Sequence, residues 1–153
     1  MYYVIIIAAL VCIDLLSKHL AVFYLKGAES LPVIHNVINF TYVENTGAAF
    51  SMLRGMQPLF VVLTLVAVLV MMYLILHSKS RNKALIWGLA FATAGGIGNL
   101  IDRVKQGFVI DFIDLKFVNF AIFNLADIFV STGTVLLFIY LLFYANKEKD
   151  YGK

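Results

Sequence analysis

Long apolar runs dominate the chain, and polar positions gather in blocks between them. Four runs predict membrane-spanning helices: residues 4–25, 59–76, 84–101 and 128–145. Each approaches the roughly 20 residues needed to cross about 30 Å of hydrocarbon. The second and fourth carry no charge, the third is rich in Ala and Gly, and the first holds Asp14, Lys18 and His19. The first reads as a span rather than a cleavable leader, because it lacks a basic lead-in and Asp14 and Lys18 interrupt its apolar run. Pro58 stands where the second span begins, a position that suits a first helical turn. In the polar blocks, residues 33–43, 108–115 and 117–123 are rich in β-branched and aromatic side chains with partial alternation, and read as short strands. Their apolar residues fall on both faces. Open backbone is not tolerated in lipid, so such a sheet belongs at the interface or against protein. The pattern predicts an all-α membrane protein with a small β element, four transmembrane helices and one domain over residues 1–153.

Composition agrees and adds an orientation. The chain is 62% hydrophobic and 14% charged, against about 45–50% and about 25% in soluble domains. The net charge of +3 is small and no basic, aromatic-lined polar face exists, so nucleic acid is not an expected partner. Lys79, Arg81 and Lys83 crowd the block 77–83, and Lys147, Lys149 and Lys153 the tail 146–153. The longer blocks, 26–58 and 102–127, are poorer in positive charge per residue. The positive-inside rule then puts the short block, the tail and both termini in the cytoplasm, and the β element outside it. Cys12, the single cysteine, lies in an apolar run and reads as an inert buried thiol.

The outer block therefore collects the acids. Asp111 stands among apolar neighbours, and Asp127 directly precedes the uncharged fourth span. Two carboxylates held together in a low-dielectric site cannot both ionise easily, and such a pair can activate water and protonate a leaving group. The bland alternatives are a solvated loop acid for Asp111 and a helix N-cap for Asp127. Asp114, on the same predicted strand as Asp111, is expected on the same face and is a rival partner. Asp102 adjoins Arg103 and reads as a surface salt bridge. Asp14 and Lys18 are four apart on one helix face, in the favourable order, and read as an ion pair turned into the bundle.

Other polar residues frame this block. Asn45-Thr46-Gly47-Ala48-Ala49-Phe50 is a turn sequence in which Asn45 can offer an amide to a peptide and Gly47 permits close approach. Asn99 and Arg103 share one helix face directed outward. His19, His35 and His77 have no metal-ligand spacing, so no metal or cofactor is expected. Ser17 adjoins Lys18, and neither Ser51 nor Ser131 has an obvious base. Two other functions fit the composition: a small transporter or proton-conducting subunit with a relay of acids, and a non-enzymatic assembly subunit using the Gly-rich third span.

Five ordered motifs carry a resemblance: Asp14-Leu15-Leu16-Ser17-Lys18, Asn45 to Phe50, Gly98-Asn99-Leu100-Ile101-Asp102-Arg103, Val109-Ile110-Asp111-Phe112 and Phe123-Asn124-Leu125-Ala126-Asp127. Together they resemble the bacterial lipoprotein signal peptidases, or signal peptidase II, over nearly the whole chain. The resemblance implies an aspartic endopeptidase of the cytoplasmic membrane, without cofactor, working towards the outer face. It would remove signal peptides from diacylglyceryl-modified prolipoproteins by cutting before the lipidated cysteine. Its partners would be those precursors, membrane lipids and globomycin-type inhibitors. The resemblance further implies Asp111 and Asp127 as the catalytic dyad. Asn45, Gly47, Asn99, Arg103 and Asn124 would line the substrate site, with Asp14 and Lys18 supporting it.

Overall fold

The computed structural model describes residues 2–47, 56–78, 80 and 82–145. Ala48, Ala49, Phe50, Ser51, Lys79, Arg81 and the tail lysines lie outside the described residues. The order of elements is α1 (Tyr2–Leu25), β1 (Leu31–Ile34), β2 (Ile38–Asn45), α2 (Gln57–His77), α3 (Lys83–Gln106), β3 (Val109–Leu115) and α4 (Leu125–Phe143). All four helices are long and apolar enough to cross a membrane. They enclose the four predicted spans, except that α4 begins and ends slightly earlier. Pro58 does sit in the first turn of α2.

α3 is the central helix and touches the other three. Its small residues make this possible. A Cβ on Gly95 would run into the Ala126 carbonyl oxygen and come within 2.7 Å of Val130 Cγ2. A Cβ on Gly98 would meet the Asp14 carboxylate, and one on Gly133 would come within 2.6 Å of the Gly88 carbonyl oxygen. These glycines let α4 and α1 lie directly on the α3 backbone, the way small residues work in membrane bundles. α2 and α4 turn most of their apolar side chains outward, as in Leu63 and Val66 of α2 and Phe138 and Leu142 of α4. Exposed apolar surface on this scale is at home in lipid, not water.

The sheet sits at the end of the bundle where α1 and α3 finish and α2 and α4 begin. It is antiparallel, in the order β1-β2-β3. The block 33–43 thus holds parts of two strands joined by a tight turn, with Asn36 at φ 58°. Ala21 and Leu25 of α1 pack with Ile110 and Phe112 of β3 and anchor the sheet to the helices. Gly107, at φ 79°, ends α3 in the left-handed conformation and turns the chain into β3. The block 117–123 departs from expectation: residues 116–119 form a turn, and only Phe123 bridges back, to Ile113. Cys12 also differs, being exposed on α1, on surface that would meet lipid.

One irregularity positions the site. Phe40 pairs with Ile113 but Val43 pairs with Asp111, so β2 holds one extra residue between them. Regular pairing would have put Glu44 opposite Val109. The bulge instead puts Asn45 there, on the face of Asp111.

Candidate active site

Asp111 lies inside β3 and is 2% exposed. Asn45 Nδ2 donates to its Oδ2 at 2.9 Å, and Asn124 Nδ2 donates to its Oδ1 at 2.6 Å. Burial pushes its carboxyl up to about 6; the Asp127 charge adds to the rise, while the Asn45 and Asn124 amides and the Lys18 charge oppose it.

Asp127 is not the cap of α4, the bland alternative read from the sequence, but its third residue. Asn124 is the cap: its Oδ1 accepts from Asp127 N at 3.0 Å, and its own N–H donates to Asp127 Oδ2 at 3.1 Å. This reciprocal box fixes the Asp127 rotamer at the positive end of the helix. Its other oxygen, Oδ1, accepts from Asn99 Nδ2 at 2.8 Å. Asn124 Nδ2 also reaches Asn99 Oδ1 at 3.2 Å, so a buried amide joins the surroundings of both acids.

Behind these amides is a buried ionic cluster. Lys18 Nζ donates to Asn99 Oδ1 at 2.9 Å and pairs with Asp14 at 2.9 Å and Asp102 at 3.0 Å. Asp14 Oδ1 in turn accepts from Ala126 N at 2.9 Å, and so satisfies a free N–H in the first turn of α4. Asp102 Oδ2 accepts from Ile110 N at 3.2 Å and ties α3 to β3. The expected surface pair of Asp102 with Arg103 is therefore replaced by a buried pair with Lys18. The ion pair of Asp14 and Lys18 is present and turned inward, as its spacing predicts. Since Lys18 donates to Asn99 Oδ1, it fixes which end of that amide faces Asp127.

Asp114 belongs to a different cluster. It stands three positions after Asp111 in β3, so the two alternate rather than share a face. Its Oδ2 accepts from Thr41 Oγ1 at 2.9 Å and pairs with Lys116 at 2.6 Å. Ser17 donates to the Asp14 carbonyl oxygen at 2.7 Å within its own helix. With Lys18 already engaged, this is no serine–lysine nucleophile.

A cavity of about 530 Å³ opens on the cluster, lined by Asp111, Asp127, Asn45, Asn99 and Arg103 among others. Arg103 packs on the Phe60 ring at 5.5 Å and reaches the Gly47 carbonyl oxygen at 3.5 Å. Its Nε is buried without a partner among the described residues. Asn45 Oδ1 accepts from Gly47 N at 2.9 Å, so the turn at 45–47 presents the Asn45 amide to Asp111. The cavity also has an apolar wall of Val109, Phe120 to Phe123, Ile128 and Val130. Two carboxyls, several amides and a guanidinium beside such a wall can bind and hydrate a peptide bond.

The family description of Signal peptidase (SPase) II matches residues 6–143. The chain belongs to the signal peptidase II family. The lipoprotein signal peptidase of Clostridioides difficile (strain 630) is 40% identical to it over 149 residues, covering 97% of this chain and 100% of that one. That of Streptococcus pyogenes serotype M1 is 42% identical over 153 residues, covering 98% and 96%. A bacterial membrane enzyme solved by the in meso method at 2.3 Å superposes with a TM-score of 0.82 at 30% identity, covering 92% of this chain and 87% of the other. One solved at 1.9 Å gives 0.82 at 31%, covering 94% of each. The chain is thus a multi-pass membrane protein and an aspartic peptidase. Sequence reasoning placed Asp102 wrongly and missed the clamp role of Asn124. The second was legible, because Asn124 and Asp127 have capping-box spacing. The first joins α1 to the far end of α3 and has no local signal.

Proposed function

We propose that this peptidase removes the signal peptide from diacylglyceryl-modified prolipoproteins, cutting before the lipidated cysteine with Asp111 and Asp127 as its dyad. The observation that carries the reading is that both acids line one cavity, with Asn99 and Asn124 connecting their hydrogen bonds. A water between the carboxyls attacks the scissile carbonyl. Asp127 takes the proton of that water. Asp111, the acid raised to about 6, is the one that keeps a proton and gives it to the tetrahedral oxygen or the leaving nitrogen.

The other cavity residues hold the substrate. Asn45 and Arg103 satisfy backbone groups of a peptide that has left water. Gly47 allows that peptide close to the turn. Lys18, Asp14 and Asp102 act at one remove, by fixing Asn99, the start of α4 and the start of β3. The substrate enters sideways from the bilayer, since it is an apolar helix with a lipid on its cysteine. The sheet end faces the outer side and both termini the cytoplasm, as the basic blocks at 77–83 and 146–153 favour. A globomycin-type cyclic lipopeptide fits the same cavity as a competitor.

Purified full-length protein tests this with a synthetic lipid-modified precursor and mass spectrometry of the cleaved ends. Asp111→Asn and Asp127→Asn should each lower turnover by at least about 1,000-fold while the melting transition persists. Near-normal turnover by either folded variant would sink the dyad, and Asp114→Asn should stay active. Membership of a peptidase family weighs against the transporter reading. So does the gathering of the described helices' acids at the sheet end, where no relay continues along α2 or α4.

A further inference from the structure

The segment that returns from the turn after β3 bears on how the substrate is held. Phe123 makes a bridge with Ile113, with N–H to carbonyl distances of 3.1 and 2.8 Å. Phe120 N donates to Val118 O at 2.9 Å. Between them, the backbone N–H and C=O groups of Ala121 and Ile122 have no partner among the described residues. Both residues are half-buried. Unpaired backbone in a partly dried place costs free energy unless something supplies the missing bonds.

The location of this segment matters. Phe120, Ala121 and Ile122 line the cavity shared by Asp111 and Asp127. The same three residues, with Asn45 and Asp111, line a second cavity of about 350 Å³ bounded by Val43 and Asn119. The segment therefore borders both of the cavities that Asp111 lines. One arm runs along Ile128, Ser131 and Thr132 of α4, and the other passes over β2.

A peptide bond inside a helix is shielded by its own hydrogen bonds, so a substrate must be extended where it is cut. An extended chain away from bulk water needs partners for its amides. An unpaired stretch of backbone alongside can supply them, by adding the peptide as a strand. We propose that the backbone of Ala121 and Ile122 is the strand template on which the extended cleavage segment pairs, holding the scissile carbonyl over Asp111 and Asp127. This rests on the peptidase reading above and names the part of the site that binds substrate main chain rather than side chains. The α4 arm takes the signal-peptide side, because that side continues into the membrane. The arm over β2 takes the side that leaves the membrane.

The test uses the purified full chain and synthetic diacylglyceryl lipopeptides. Each backbone amide on the signal-peptide side of the scissile bond is replaced in turn by an ester, which removes one N–H and keeps the side chain. Strand pairing predicts an alternating result: the one ester whose N–H would meet the template lowers kcat/KM by about tenfold, and those on either side of it change it little. A second arm uses Ala121→Pro and Ile122→Pro, each of which removes one enzyme N–H. At least one of them lowers kcat/KM for the all-amide substrate about tenfold and flattens the alternation. A flat ester scan with wild-type enzyme overturns the template, even if both proline variants fail to fold. So does an alternation that persists in both folded proline variants. In those cases the all-amide lipopeptide is still cleaved and the proposed function stands. No cleavage of the all-amide lipopeptide overturns both.

Discussion

Asp111 carries a pH prediction of its own. Its carboxyl is raised from an ordinary 3.8 to about 6, with burial as the main cause. The folded protein therefore holds this proton more tightly than the unfolded chain. For such a group, stability falls as pH rises from about 4 to about 6, and is level on either side. Ionising it costs on the order of 3 kcal/mol. A melting curve in detergent should show this decline for the wild type and a flatter profile for Asp111→Asn. The same titration should set the descending limb of kcat/KM near pH 6, since that profile reports the free enzyme. The limb of kcat should lie higher, because bound substrate dries the site further. A descending limb unmoved in an active Asp111→Glu variant would remove Asp111 from the acid role.

Lys18 is the other residue whose surroundings fix an outcome. It is 1% exposed and touches Asp14, Asp102 and Asn99. Replacing it by Met leaves two buried carboxylates without their cation, a change that typically costs about 3–5 kcal/mol. Thermal melting of Lys18→Met should show a loss of that order. Lys18→Met with Asp102→Asn should recover part of it. Equal melting of the single variant and the wild type would show that water reaches the cluster.

At the scale of elements, close approach of α3 and α4 sets the distance between Asn99 and Asp127. Gly95 and Gly96 are neighbours in sequence with opposite demands. A Cβ on Gly95 strikes backbone, the Ala126 carbonyl oxygen, one residue before Asp127. A Cβ on Gly96 meets Val68 Cγ2 at 3.0 Å, the end of a side chain on the neighbouring helix α2. Gly95→Ala should therefore cost about 1–3 kcal/mol and most of the activity, and Gly96→Ala should keep activity within a few-fold. Matched melting and cleavage assays check the contrast, and equal behaviour of the two variants would refute it.

The elements also show what could be read from the chain. Apolar length alone located all four helices, because in lipid every backbone bond must be made within the segment. Pairs four or three apart, Asp14 with Lys18 and Asn124 with Asp127, were within reach of local spacing. The bulge in β2 was not, since one extra residue in a strand leaves its composition unchanged. Its effect is large all the same, because it exchanges Glu44 for Asn45 on the face of Asp111. The failed strand at 117–123 has a physical reason as well. Its residues favour a strand, but residues 116–119 form a turn and only Phe123 bridges back to β3.

Among the described residues, the acids of the site gather at one end of an apolar girdle. The described sheet, the ionic cluster and both acids gather where α1 and α3 end. The opposite end has the short connection between α2 and α3. This arrangement makes orientation a property of the entire chain, since four spans and two connections at the sheet end leave only two ways to sit in a bilayer. The proposed function takes the one with the sheet outside, which the positive-inside rule favours. Labelling of single cysteines in intact bacterial cells decides it, starting from Cys12→Ser. Lys116→Cys places a thiol in the exposed turn after β3, at the cost of one half-exposed ion pair with Asp114. Lys83→Cys places one at the exposed start of α3. An impermeant maleimide should modify the first in intact cells and the second only after permeabilisation. The reverse pattern would put the acids on the cytoplasmic side, where a diacylglyceryl-modified precursor exported across the membrane does not present its cleavage site, and the proposed substrate would fall with it.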